Sequence, residues 1–163
     1  MENLWSLDIA EVKVNTPKEI LDEQAYWLGQ ITKNLITAEV EVDDYALRKG
    51  IFDNNFYIVA PTLDNYRYRL FTVEHDMDIY PLKIDLDEKL YQEIGGTNGG
   101  TSIEIDNELQ FKEILEKVFH AHRTKHIVGV LNSQIRSFYP PEMDFKQNRV
   151  ETQVVSQSED NYF

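Results

Sequence analysis

The chain has 163 residues, enough for one domain that buries about two-thirds of its unfolded surface. It carries 29 acidic and 16 basic side chains, a net charge of −13, and 42% hydrophobic residues. It has no cysteine, which excludes disulfides, thiol nucleophiles, cysteine-ligated zinc and iron–sulfur clusters, and its charge opposes long-range attraction to phosphate backbones and anionic lipid.

The opening Met1-Glu2-Asn3-Leu4-Trp5-Ser6 has neither the basic nor the apolar region of a signal peptide. No window approaches the roughly 18 apolar residues of a spanning helix. The expectation is a soluble, cytoplasmic protein. Residues 4–14 alternate imperfectly, through Leu7, Ile9, Val12 and Val14, and suit a short strand or an extended lead-in.

A helix start follows. Thr16 can cap, Pro17 suits the first helical position, and Glu19 completes a capping box. Ile20, Leu21, Gln24, Trp27, Leu28 and Ile31 keep helical spacing, predicting a helix that ends near Lys33 or Asn34. From Leu35 to Asp43 the period changes to two, with Ile36, Ala38, Val40 and Val42 on one face and Thr37, Glu39, Glu41 and Asp43 on the other. Gly50 and Asp53-Asn54-Asn55 predict a break. Strands are predicted over 56–60, 66–74 and 79–86, with Pro81 marking a strand start or an edge. A short helix is predicted over 87–94, a glycine-rich loop over 95–100 and a brief strand over 101–105. Asp106 or Asn107 caps a strong helix striped by Phe111, Ile114, Leu115, Val118 and Phe119. The pattern pauses around residues 122–125, then resumes through Ile127, Val128, Leu131 and Ile135 until Tyr139-Pro140-Pro141. Residues 140–163 read as a polar tail after a single domain over 1–139.

Short connections make the strands an antiparallel meander. The fold class expected is therefore α+β: a four- to five-stranded, mainly antiparallel sheet with helices packed on one face.

Three clusters bear on chemistry. His120, His122 and His126 crowd the end of the strong helix; His122 and His126 share a face if the helix is unbroken, a spacing that suits metal, though Arg123 and Lys125 between them oppose a cation. The competing reading is that basic residues answer the negative end of the helix dipole. His75, between Glu74 and Asp76 in an expected turn, is a candidate general base or metal ligand. Tyr66, Arg67, Tyr68 and Arg69 are candidates for an exposed protein-binding patch, unless the arginines pair with Glu39 or Glu41 on a neighbouring strand. The loop of Gly95, Gly96, Gly99 and Gly100 matches neither a phosphate-binding nor a dinucleotide-binding motif. No nucleophile motif is found, and no cofactor is expected.

The stretch from Pro17 to Ala25 resembles openings of small bacterial proteins. In size, acidity and mixed element order the chain loosely resembles type III secretion chaperones, although four strands precede its middle helix. The function expected is a non-catalytic interaction module of bacterial or phage origin: an adaptor, inhibitor, immunity protein or chaperone. Its partner is another protein or a second copy of itself, rather than nucleic acid or membrane. The alternatives are a metal- or histidine-dependent enzyme, and an acidic mimic of nucleic acid using Glu39, Glu41, Asp43 and Asp44.

Overall fold

The structure is a computed structural model and describes residues 1–97 and 99–140. Residues 4–14 form no strand. They are an exposed lead-in with one 3-10 turn at Ile9–Glu11, because their apolar side chains fall on no single face that a sheet edge could take.

Helix α1 (Pro17–Ile31) begins as predicted. The Thr16 hydroxyl accepts the Glu19 N–H at 3.2 Å, and the Glu19 carboxylate accepts the Thr16 N–H at 2.9 Å. It ends slightly early, because Lys33 and Asn34 adopt φ of +53° and +60° and turn the chain into β1 (Thr37–Val42). A short helix that the periodicity did not show, α2 (Asp44–Arg48), follows; five residues are too few to display a period. The Asp43 carboxylate caps it, accepting the N–H groups of Tyr45 and Ala46.

Strand β2 (Phe52–Ala60) starts four residues before the predicted one. Asp53-Asn54-Asn55 does not break the chain: Asn54 pairs with Val42 and Val73, and the Asn55 side chain accepts the Thr72 hydroxyl at 2.8 Å. These polar residues cross the middle of the sheet, where pairing on both sides outweighs their turn preference. Then come β3 (Tyr66–His75) and β4 (Leu82–Leu86); Ile79 and Tyr80 lie in the preceding turn, so Pro81 marks a strand start and not an edge. Asp87 caps α3 (Glu88–Glu93), β5 is Ser102–Ile105, and Asn107 caps α4 (Glu108–His120). Helix α5 (His122–Phe138) follows after a break at Ala121, whose ψ is 146°. Residues 141–163 of the expected tail lie outside the described residues.

The five strands form an antiparallel meander in the order β1-β2-β3-β4-β5. The register between β2 and β3 shifts after the Phe56–Phe71 pair, since Tyr57 pairs with Arg69. This bulge places Leu70 and Phe71 together in the core, 1% and 2% exposed. A regular strand would have put Phe71 with the arginines. The sheet's core face carries Ile58, Val73, Ile84 and Ile105, covered by Leu21 of α1, Leu90 of α3, Phe111 of α4 and Leu131 of α5 in one hydrophobic cluster. The other face is exposed and charged, with Glu39, Arg67, Arg69, Glu74, Lys83 and Glu104. Among the described residues no helix is long and apolar enough to cross a membrane.

Candidate functional site

The α1 stripe is wider than its neighbours can cover. Ile20 and Leu21 are buried and Leu28 is partly so, but Trp27 is 50% and Ile31 79% exposed. They overlook a groove of about 700 Å³ between α1 and the α4–α5 pair. Phe56, Ile58 and Leu70 form its floor, with Leu115 and Phe119 of α4 and Val128 of α5 opposite α1. Phe56 and Phe71 stack at 5.0 Å between ring centres, and Phe119 tilts against both at 5.5 and 6.0 Å, so an aromatic cluster backs the floor. Glu23, Lys112, Glu116, His120 and Lys125 ring the opening. Asn132 also lines it; its Oδ1 is shielded from solvent and accepts no hydrogen bond within the protein. A mostly apolar cleft rimmed by a few charged side chains has the chemistry of a binding site.

The groove exists because the chain breaks at Ala121 and α5 leaves the line of α4. No side chain of Ala121 caps α5. Instead the Glu93 carboxylate, from the end of α3, accepts the backbone N–H groups of His122 and Arg123, the latter at 3.0 Å. Those N–H groups, that of Arg123 foremost, hold the Glu93 carboxyl below its ordinary value. The buried Thr124 hydroxyl donates to the Val118 carbonyl and closes the end of α4. Arg123 then fastens α5 to the sheet: its Nε donates to Asp87 Oδ2 at 3.2 Å and its Nη2 to the Tyr68 hydroxyl at 3.1 Å, while that hydroxyl donates to Asp87 Oδ2 at 3.1 Å. Burial pushes the Asp87 carboxyl up, but the Leu90 N–H, the guanidinium and the phenol together hold it below its usual value. Burial raises the Tyr68 phenol, against the hydrogen bond from Arg123.

The four residues Tyr66, Arg67, Tyr68 and Arg69 do not form one patch, because alternation sends them to opposite faces. Tyr66 and Tyr68 meet Arg123 and His126 in a second, shallower groove of about 470 Å³ on the far side of α5. Arg67 lies 4.0 Å above the Tyr57 ring of β2 and reaches one strand further than expected, pairing with Glu41 at 2.8 Å and Glu39 at 3.4 Å on β1. Arg69 stands on the charged face with Asp53, Glu74 and Asp85. There the Asp53 carboxyl is raised, first by burial and then by Glu74 and Asp43, against the pull of Arg69.

The histidines are divided between two helices and a strand end, but the break falls before His122, so His122 and His126 keep their four-residue spacing on one face of α5. The break at Ala121 leaves His120 at the end of α4 and puts His122 and His126 in the first turns of α5, so only His120 meets a helix C-terminus. His75 ends β3, buried, stacked on Phe52 at 4.9 Å with its Nδ1 2.8 Å from the Asp76 carbonyl. Among the described residues no three histidines or carboxylates gather as metal ligands. Of the four carboxylates expected in a regular row, Glu39 and Glu41 are engaged by Arg67, while Asp43 has turned to cap α2. In the glycine loop, a Cβ on Gly96 would come within 2.2 Å of the Tyr91 ring, so this glycine serves close packing.

Sequence reasoning placed Trp27 and Ile31 on the α1 stripe without separating the covered members from the bare ones, and did not single out Asn132. The available signal was a six-member stripe on α1, wider than one packed neighbour covers. Comparison with protein-family models, curated proteins and solved structures gives no significant match.

Proposed function

We propose that this protein is a non-catalytic interaction module that holds an apolar segment of a protein partner in the groove between α1 and α4–α5. The observation that carries this reading is the exposure of Trp27 and Ile31 beside an apolar floor of Phe56, Ile58 and Leu70. Tryptophan is enriched among the residues that anchor protein interfaces. A volume of about 700 Å³ falls in the range of ligand-holding clefts. The net charge of −13 favours a protein segment over nucleic acid. The roles of adaptor, inhibitor, immunity protein or chaperone in a bacterial or phage setting all fit such a module. A cytoplasmic setting accords with the absence of cysteine.

The test is a selection of phage-displayed random peptides on the immobilised chain, followed by titration of the enriched peptides against wild type and Ile31→Asp. The Ile31 side chain is exposed, so the substitution leaves the fold intact. Enriched peptides should be rich in apolar residues, shift Trp27 emission to the blue in a Trp5→Phe background, and lose about tenfold or more in affinity to Ile31→Asp. Peptides that bind Ile31→Asp unchanged, or a selection that enriches none both on wild type and on a chain whose arm carries Leu4→Ser, Trp5→Ser and Leu7→Ser, would overturn the reading.

A further inference from the structure

We propose that the occupant of the groove is the lead-in segment of a second copy: residues 4–14 of each molecule lie in the groove of the other, forming a two-fold, arm-exchanged dimer. This rests on the reading of the groove as a binding site and names its partner.

The segment carries Leu4, Trp5, Leu7, Ile9, Val12 and Val14, and all six are exposed, Trp5 at 75% and Leu7 at 93%. Six exposed large apolar side chains within eleven residues are more than the scattered singles of an ordinary surface. The same molecule thus presents an uncovered apolar arm and an uncovered apolar groove.

The root of the arm is held in place. Asn15 Nδ2 donates to Glu108 Oε1 at 3.4 Å at the start of α4, and the capping box holds Thr16 extended before Pro17. Fully extended, the arm's eleven residues reach roughly 35–40 Å. The stretch of α1 from Ile20 to Ile31 that walls the groove is only about 17 Å long. The arm can leave its own domain and still cover a neighbour's groove.

Charge agrees. Two copies of a −13 molecule repel in general, yet the groove mouth carries Lys112, His120 and Lys125 against Glu23 and Glu116. The arm, residues 4–14, has Asp8 and Glu11 against Lys13 and so carries one net negative charge. It meets an opening whose two lysines balance its two glutamates, so the general repulsion between −13 molecules is absent there.

Sedimentation velocity of the full chain over a concentration series tests this. Wild type should form a dimer. Combined Leu4→Ser, Trp5→Ser and Leu7→Ser, which alters only exposed residues, should give a monomer, and so should Ile31→Asp alone. An equimolar mixture of the two variants should associate again through one intact arm and one intact groove, roughly a hundredfold more weakly than wild type. A wild type that stays monomeric to millimolar concentration overturns the proposal, and so does a dimer that survives the arm substitutions or a mixture that stays monomeric. If the wild type is a monomer and the arm substitutions increase binding of the dye anilinonaphthalene sulfonate, the arm seats in its own groove and exchange is refuted. Failure of exchange alone leaves peptides selected on wild type still sensitive to Ile31→Asp; failure of the groove reading removes that sensitivity.

Discussion

Asp87 joins three elements at one carboxylate, and its parts can be separated by substitution. Its Oδ1 accepts the Leu90 N–H at 2.7 Å and starts α3; its Oδ2 receives Tyr68 from β3 and Arg123 from α5. Asparagine caps a helix about as well as aspartate, so Asp87→Asn keeps the first function and loses the charge partner of Arg123. The side chains of Arg123 and Asp87 are 26% and 30% exposed, between a surface pair and a buried one. The loss for Asp87→Asn is therefore about 1–2 kcal/mol, bounded below by surface pairs and above by buried ones. Alanine also removes the cap, adding about 1 kcal/mol, so Asp87→Ala loses about 2–3 kcal/mol. At this chain length that is a fall in Tm of roughly 5–10 °C.

The pH dependence supplies a second check. The folded carboxyl titrates below the ordinary 3.8, so the unfolded chain takes up the proton first as pH falls. The stabilisation is complete above that ordinary value and is lost as pH drops through the folded one. The gap between wild type and Asp87→Asn should be widest at pH 7 and close on acidification. Urea unfolding followed by far-UV circular dichroism measures it. Equal stabilities for the Asn and Ala variants, or a gap that widens in acid, would refute this account of the carboxylate.

Three further outcomes follow from the packing. Leu70→Ala should cost about 2–5 kcal/mol and Phe71→Ala about 3–5 kcal/mol in denaturant unfolding, because the bulge buries both; a neutral effect at either would mean a regular β3. Gly129→Ala should raise stability by about 1 kcal/mol, since it lies inside α5 and its Cβ would meet nothing within 4 Å, whereas Gly96→Ala should lower Tm through collision with Tyr91. Asp53 has a raised folded pKa, so the folded chain holds that proton more tightly and stability declines as pH rises through the interval above 3.8. Asp53→Asn should therefore be more stable than wild type at pH 7, with the advantage gone below pH 3.8; urea midpoints at both pH values decide it.

Much of the fold was legible because it is written in local periods. The Thr16 capping box, the alternation from Ile36 to Val42 and the stripe from Phe111 to Phe119 each describe one element and its buried face. Where the reading failed, the decisive partner was distant in sequence. Asn54 is tolerated in mid-sheet because Val42 and Val73 flank it. Phe71 faces inward because β3 has one residue more than β2 requires at that point. Helix α5 begins at His122 because Glu93, far back in the chain, supplies the cap that Ala121 lacks.

The groove is the same lesson turned outward. Trp27 and Ile31 obey the helical period of Ile20 and Leu21, so periodicity alone places all four in the core. Period states which side of a helix is apolar, but not how much opposing surface exists to cover it. That quantity is set by the break at Ala121, by Glu93 and by the Arg123–Asp87–Tyr68 clasp, which together carry α5 away from α1 and leave the upper part of the stripe bare. A lone exposed tryptophan needs no explanation. A tryptophan and an isoleucine one turn apart, above a stacked phenylalanine floor and below a rim of mixed charge, make a surface that water covers poorly. Helix α1 thus contributes half of its stripe to folding and keeps the other half for association.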